Sequence, residues 1–479
     1  MLFNSLAFAV FLPVVCLLHW ALPNKYRWAL LLAASYYFYM SWNAAYIALI
    51  LLTTAVSYGA ALWIERLPAR RGRRAVLIGA LAECLGVLFF FKYFNFFAGS
   101  VVGLAGAFGL RLHPVTLRVL LPVGISFYTF QTLSYVIDVY RGRIRAERHF
   151  GVYATFVSFF PQLVAGPIER TENLLPQLKA ERRFDYDQAS YGLRLMAWGY
   201  FKKLAIADAL AVYADKVYSA PGNYTGFALL LATGCFTVQI YCDFSGYSDI
   251  AIGAAKLLGI DLMTNFKSPY FSASIREFWS RWHISLSTWF RDYVYIPLGG
   301  SRVGKLRHAG NLLVTFLVSG LWHGANWTFV VWGGVHGLAQ ILENAVFGRR
   351  EPPARGPLRL LRTGLVFCFC AFAWVFFRAN SLADAGYVLT HLFEGIGQPL
   401  RYLMDGAEAV DLTRLGAAKL ACCLPLLAAY DFFALRTDVP AWVARRPLAL
   451  RWAIHIGMAL LLVVFTAAAG EMAFIYFQF

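Results

Sequence analysis

The sequence predicts an all-α integral membrane protein, and three observations carry that prediction. Hydrophobic residues fill 59% of the 479 positions and charged residues only 14%, against roughly 25% charge in soluble domains. Apolar stretches approaching the ~20 residues that a bilayer core requires recur along the chain. Arginines and lysines gather between them, in "ERLPARRGRR" (65–74), "RGRIRAER" (141–148) and "RREPPARGPLRLLR" (349–362). Cytoplasmic loops carry this bias under the positive-inside rule. The net charge of +17 therefore speaks of topology, and no nucleic-acid partner is expected.

Candidate spans begin near residues 3, 27, 43, 75, 119, 150, 187, 226, 246, 311, 326, 361, 416 and 452. Several are too short or too polar to cross, which leaves roughly eleven crossings plus re-entrant and interfacial pieces. The opening "MLFNSLAFAVFLPVVCLLHWAL" lacks a basic n-region and a small-residue cleavage site, so it is expected to stay as a first membrane helix. The acid-rich stretch 380–415 suits an external loop. No repeat and no soluble segment interrupts the chain, so residues 1–479 are expected to form one polytopic domain, with a core at about 120–347. All eight cysteines lie in apolar segments without His or Cys partners at zinc spacing, so neither a metal site nor disulfides are expected.

Residues 261–310 are too polar to span, with seven Lys/Arg against three Asp/Glu, and too aromatic for a plain loop. Within them, "SIREFWSRWHISLSTWF" (274–290) places Ile275, Phe278, Trp279, Trp282, Leu286, Trp289 and Phe290 at helical spacing. These fall in one stripe of about 120°. The stretch reads as an interfacial helix, with Arg276 and Arg281 off the stripe and His283 at its edge. "GGSRVGKL" (299–306) fits G-x-x-x-x-G-K, but Leu306 stands where a phosphate-binding loop needs Ser or Thr. Nucleotide hydrolysis is thereby excluded.

"SGLWHGANWTFVVWGGVHG" (319–337) sets His323 in an almost uncharged segment. Twelve residues from Asn311 to Trp322 rise ~18 Å as a helix, short of a ~30 Å hydrocarbon core. An intramembrane ionisable residue is costly and marks function, and imidazole moves protons near neutral pH. Gly320 and Gly324 would clear space around the ring. Asn326 and Trp327 share its helical face, Asn326 to fix a tautomer, Trp322 and Trp327 to wall the site. His336 lies ~20 Å further on unless the segment breaks. Asp243 and Asp249 in "YCDFSGYSDIAIG" (241–253) would be structural if paired with arginines, and functional if they line a pathway. "FFPQLVAGPIER" (159–170) suggests a broken helix around a cavity.

Taken together, "SFYTFQTLSYVIDVYRG" (126–142), "FFPQLVAGPI" (159–168), "DFSGYSDIAIG" (243–253), "EFWSRWHISLSTWFRDYVYIPLGG" (277–300), the 319–337 segment and the closing "FIYFQF" (474–479) resemble the membrane-bound O-acyltransferase family. The likeness is to its bacterial branch, which serves alginate O-acetylation and teichoic acid D-alanylation, and to the alginate type most. The resemblance implies acyl transfer from a thioester to a hydroxyl through a core that tunnels across the bilayer. It places the family's histidine on His323 and its second polar position on His283. Acetyl-CoA is the implied donor substrate, with no bound cofactor, and Arg276, Arg281 and Arg291 are candidates for its phosphates. Trp282 and Asp243 join Trp322, Gly324, Asn326 and Trp327 as candidates to shape the site. The implied setting is the bacterial inner membrane, among lipid. The acceptor would be an exported polysaccharide, or a partner transferase or export protein outside the cytoplasm. A proton-coupled transporter or flippase relaying protons through His323, Asp243 and Asp249 is the rival reading; it would show inverted repeats, which the sequence lacks.

Overall fold

The computed structural model describes every residue except 114, 165, 349–354, 467–473 and 475–479. No strand occurs among the described residues. Contacts gather the chain into two units, Met1–Leu193 with Ala251–Met263, and Arg194–Ile250 with Thr264–Phe479.

The first unit opens with α1 (Leu6–Ala21), α2 (Asn24–Met40), α3 (Ile47–Arg66) and α4 (Arg70–Leu88). It continues through α5 (Phe94–Ala107), α6 (Ile125–Tyr140), α7 (Phe150–Ser158), α8 (Phe160–Leu163) and α9 (Thr171–Lys179). The chain passes to the second unit within α10 (Tyr186–Tyr200), follows α11 (Asp208–Tyr218) and returns within α12 (Phe227–Leu257). The second unit then holds α13 (Ile275–Arg281), α14 (Ile284–Phe290), α15 (Lys305–His323), α16 (Trp327–Phe347) and α17 (Pro357–Arg378). It closes with α18 (Leu382–His391), α19 (Pro399–Ala409), α20 (Arg414–Ala434), α21 (Val439–Ala444) and α22 (Leu448–Thr466). Six stretches among the described residues are long and apolar enough to cross a membrane: Ala44–Arg66, Arg70–Ala107, Phe227–Leu257, Pro357–Arg378, Arg414–Ala434 and Leu448–Thr466. All eight cysteines are free.

Several expectations from the sequence change here. No span begins near 246, because α12 runs unbroken for 31 residues. Its polar residues find partners: Asp243 pairs with Lys203 at 2.8 Å and Asp249 with Lys202 at 2.7 Å. Both lysines project from a π-helical turn, Phe201–Ala207, and Asp208 also pairs with Lys203, at 2.8 Å. Nor is 274–290 one helix, since α13 and α14 part at Trp282 and His283. The acid-rich 380–415 is largely helical, and Ser381 caps α18 by accepting the Asp384 N–H.

The break in 159–170 is present. After the single turn of α8 the described residues up to α9 are irregular. There Gly124 sits at φ 75°, and a Cβ on it would stand 2.6 Å from the Leu163 carbonyl oxygen. Of the family-like stretches, the closing one lies outside the described residues except for Phe474, and residues 349–354 of the third basic segment lie outside them too.

Candidate active site

α15 stops at His323 because Gly324 is extended, at φ −156° and ψ 148°. Asn326 starts α16 as its N-cap: its Oδ1 accepts the Thr328 N–H at 3.1 Å, and its Nδ2 donates to the Asn380 carbonyl at 3.0 Å. The Asn326 amide is therefore committed to the chain turn, and it does not set the His323 tautomer.

α16 folds back along α15. A Cβ on Gly320 would collide with the Phe329 carbonyl oxygen, one on Gly333 with that of Phe316, and one on Gly324 with the Phe329 ring. These glycines let two backbones touch. They do not hold open space beside His323, as the sequence suggested.

The same turn answers the condition on His336. With the segment broken at 324–326, Trp332 stands between two imidazoles, 5.0 Å from the His323 ring and 5.0 Å from the His336 ring. His323 is 3% exposed. Its ring also meets Trp322 at 5.1 Å and Phe377 of α17 at 5.4 Å.

His283 is fully buried, 6.4 Å from His323 between ring centroids. It links α13 to α14 in the left-handed region, at φ 43° and ψ 54°. A non-glycine residue holds such a conformation only where its surroundings fix it. Here Asn265 does so. Its Oδ1 takes the Ser285 N–H at 3.3 Å, the Ser285 hydroxyl at 2.8 Å and His283 Nδ1 at 3.0 Å. A backbone N–H can meet only an acceptor, so this atom is the amide oxygen and His283 Nδ1 carries its proton. Nε2 is left as the lone-pair nitrogen. Burial pushes the His283 imidazole down to about 3, so the ring is neutral at physiological pH.

Phe244 stands edge-on to His283 at 4.6 Å, and Trp322 at 6.2 Å. Trp282 is buried and stacks on Phe278 at 5.5 Å. The two imidazoles thus share an aromatic chamber.

A cavity of about 580 Å³ has in its lining Ser319, one turn before His323, and Ile284, next to His283 in sequence. Arg276 and Arg291 line it, with Ser280, Tyr295 and His308. Arg276 is braced by the Asn344 side chain and by the Gly348 carbonyl at 2.9 Å. Arg291 pairs with Asp292 at 2.8 Å. Arg281 is not in the lining; Glu277 holds it at 2.8 Å.

The other candidates divide. Trp322 is buried against both histidines, whereas Trp327 is 52% exposed on the first turn of α16. Asp243 acts as a counter-ion to Lys203, with its neighbour Phe244 against His283. No cluster of three His, Cys, Asp or Glu side chains suited to a metal occurs among the described residues. Asn265, Trp332 and Phe377 are the participants that sequence reasoning missed. Only Asn265 gave a signal, as one of the polar residues in a stretch otherwise notable for its aromatics.

Residues 144–383 match the model of MBOAT, the membrane-bound O-acyltransferase family. Over its whole length the chain is 39% identical to a probable alginate O-acetylase, AlgI, of Pseudomonas putida, covering all of that protein. It is 32% identical to the peptidoglycan O-acetyltransferase of Helicobacter pylori, across all of this chain and 98% of that one. It is 28% identical to the teichoic acid D-alanyltransferase of Bacillus subtilis, over 46% of this chain and 58% of the relative. With six apolar spans, a family match across half its residues and full-length relatives that move acyl groups, the chain belongs to the membrane-bound O-acyltransferase family and is a multi-pass membrane acyltransferase.

Proposed function

We propose that this protein takes an acetyl group from acetyl-CoA in the cytosol and delivers it to a hydroxyl beyond the bacterial inner membrane. The acceptor is an exported polysaccharide or a partner transferase that hands the group on. The observation that carries the reading is the pair of buried imidazoles, 6.4 Å apart between ring centroids, with a cavity nearby that has two arginines in its lining.

Attack on a thioester needs a deprotonated hydroxyl, and a positioned base contributes ~10²–10⁴-fold. His323 takes that proton. His283, with Nδ1–H fixed by Asn265, turns the Nε2 lone pair to the same chamber and orients the hydroxyl. Arg276 and Arg291 meet the donor's phosphates by charge-assisted hydrogen bonds. The thiolate leaves toward the cavity and takes up the proton that His323 accepted, which restores the base. An acyl group passing one histidine within the membrane crosses without its carrier.

The architecture that suits this chemistry is a single domain around a tunnel. Roughly eleven crossings belong to it, five beyond the six apolar spans. The transporter reading loses its relay, because Asp243 and Asp249 are ion-paired with lysines.

Membrane vesicles with labelled acetyl-CoA on the cytosolic face separate the two. The proposal expects label on an acceptor at the opposite face, in amounts an uncoupler does not change. Flux that collapses with the proton gradient, without acetylated product, contradicts it. Replacing Arg276 and Arg291 together with Gln should raise KM for acetyl-CoA about tenfold or more with little change in kcat.

A further inference from the structure

In the first unit, α3 and α4 diverge around an open groove of about 590 Å³. Ala60, Trp63 and Leu67 form its α3 wall, and Gly72, Val76 and Gly79 its α4 wall. The lining is wholly apolar. Gly79 contributes to the opening: a Cβ on it would meet nothing within 4 Å. On the α3 side the lining runs from Val56 to Leu67, three turns or about 16 Å. That is half of a ~30 Å hydrocarbon core, the depth of one leaflet.

One end of the groove is strongly basic. Trp63, 60% exposed, marks the interface as tryptophans do, and α3 ends at Arg66 just beyond it. α4 begins four residues later with Arg70 and Arg71. Arg66, Arg70 and Arg71 are exposed and bond to no described residue. The neighbouring groups are already committed. Glu65 pairs with Arg148 at 2.6 Å, and Arg73 donates to the Tyr140 carbonyl at 3.1 Å. Among the described residues no carboxylate pairs with any of the three guanidiniums.

We propose that this groove binds one anionic glycerophospholipid, with an acyl chain between α3 and α4 and its phosphate against Arg66, Arg70 and Arg71. The apolar walls take the chain, the leaflet-long span fixes its depth, and the arginines select the headgroup charge. Basic residues beside a membrane helix attract anionic lipid in this way.

Native mass spectrometry of the purified full chain, exchanged into mixtures of phosphatidylglycerol and phosphatidylcholine with matched acyl chains, tests the site. The wild type should retain one phosphatidylglycerol in about tenfold preference, on the scale of roughly fivefold for each basic residue near an anionic surface. The combined Arg66→Gln, Arg70→Gln and Arg71→Gln variant should keep a bound lipid and lose the preference. Gly79→Leu, which fills open space, should lose the bound lipid of either kind while eluting as the wild type does. Equal retention of the two lipids by the wild type overturns the proposal. So does an unchanged preference in the arginine variant, or undiminished retention in Gly79→Leu.

Discussion

In the α15–α16 pair, a Cβ on Gly320 or Gly333 would collide with a backbone carbonyl of the facing helix, whereas in the α3–α4 pair a Cβ on Gly79 would meet nothing within 4 Å. Both pairs are consecutive helices joined by a tight connection. In the first, glycine removes side chains so that two backbones touch and the end of α15 is fixed. In the second, it removes a side chain and nothing fills the space. Rigidity is thus concentrated where His323 must be held, and α3 and α4 present an open groove. A glycine in an apolar helix is therefore ambiguous until its neighbour is known.

The largest effect should come from closing the wrong gap. Gly320→Val forces α15 and α16 apart, at a cost of about 1–3 kcal/mol for overpacking. It displaces His323, and a shift of about 1 Å is enough to lose ~10²-fold in rate. Gly79→Val should stay within about 0.5 kcal/mol of wild type with normal acyl transfer. Thermal midpoints and transfer rates for the two variants, side by side, check the contrast. Equal damage from both would erase it.

A smaller effect sharpens the account of the rigid region. Asn265→Leu removes the acceptor that holds His283 Nδ1–H. Transfer should fall about tenfold to a hundredfold, since a misoriented base forfeits part of its ~10²–10⁴-fold contribution, and the pH–rate profile should shift. Asn265→Asp keeps the acceptor and should recover most of the rate. A purely structural Asn265 would leave the profile of both variants unmoved.

The smallest effects are on pH-dependent stability, and the two units should respond with opposite sign. His283 is held near 3 against an ordinary 6.5, so between those values the unfolded chain binds the extra proton. Stability is lost there as pH falls. In the first unit, burial pushes Glu169 up to about 7 from 4.5, even though it accepts the Asn173 amide at 2.7 Å and the Met263 N–H. There the folded chain holds the extra proton, and stability is lost as pH rises through that window. Glu169→Gln should raise the midpoint at pH 7.5 by about 2–4 °C and leave the acid side unchanged. A Gln variant that loses stability at pH 7.5 would show the charged carboxylate to be the favoured form.

Much of this was legible in the sequence, for physical reasons that differ by residue. The helices starting at Asn24, Phe227 and Trp327 lie close to where apolar periodicity begins, because lipid demands long uninterrupted runs. α15 begins six residues before Asn311, since Lys305, Arg307 and His308 read as a loop although they form helical turns. The polar run at 241–249 looked like a boundary; its charges are neutralised by Lys202 and Lys203, forty residues away and invisible to a local window. Asn326 precedes an apolar run, as an N-cap should, yet it was assigned to His323. The left-handed turn at His283 gave only a weak signal: "RWHIS" contains no Gly, Asn or Asp, and the histidine itself is the one residue there enriched in that region. Its cause, Asn265, lies eighteen residues upstream. Local composition disclosed the helices and the histidines, and only tertiary contact disclosed what holds them.

The central claim is that His323 is the base for acyl transfer, held in place by a closed helix pair. Acetyl transfer from labelled acetyl-CoA, measured for wild type and His323→Ala in membranes with matched protein levels and thermal midpoints, tests it most directly. The account predicts a loss of at least about 10²-fold, on the scale of a positioned base, with the protein still folded. Transfer within tenfold of wild type by a folded His323→Ala protein would contradict it.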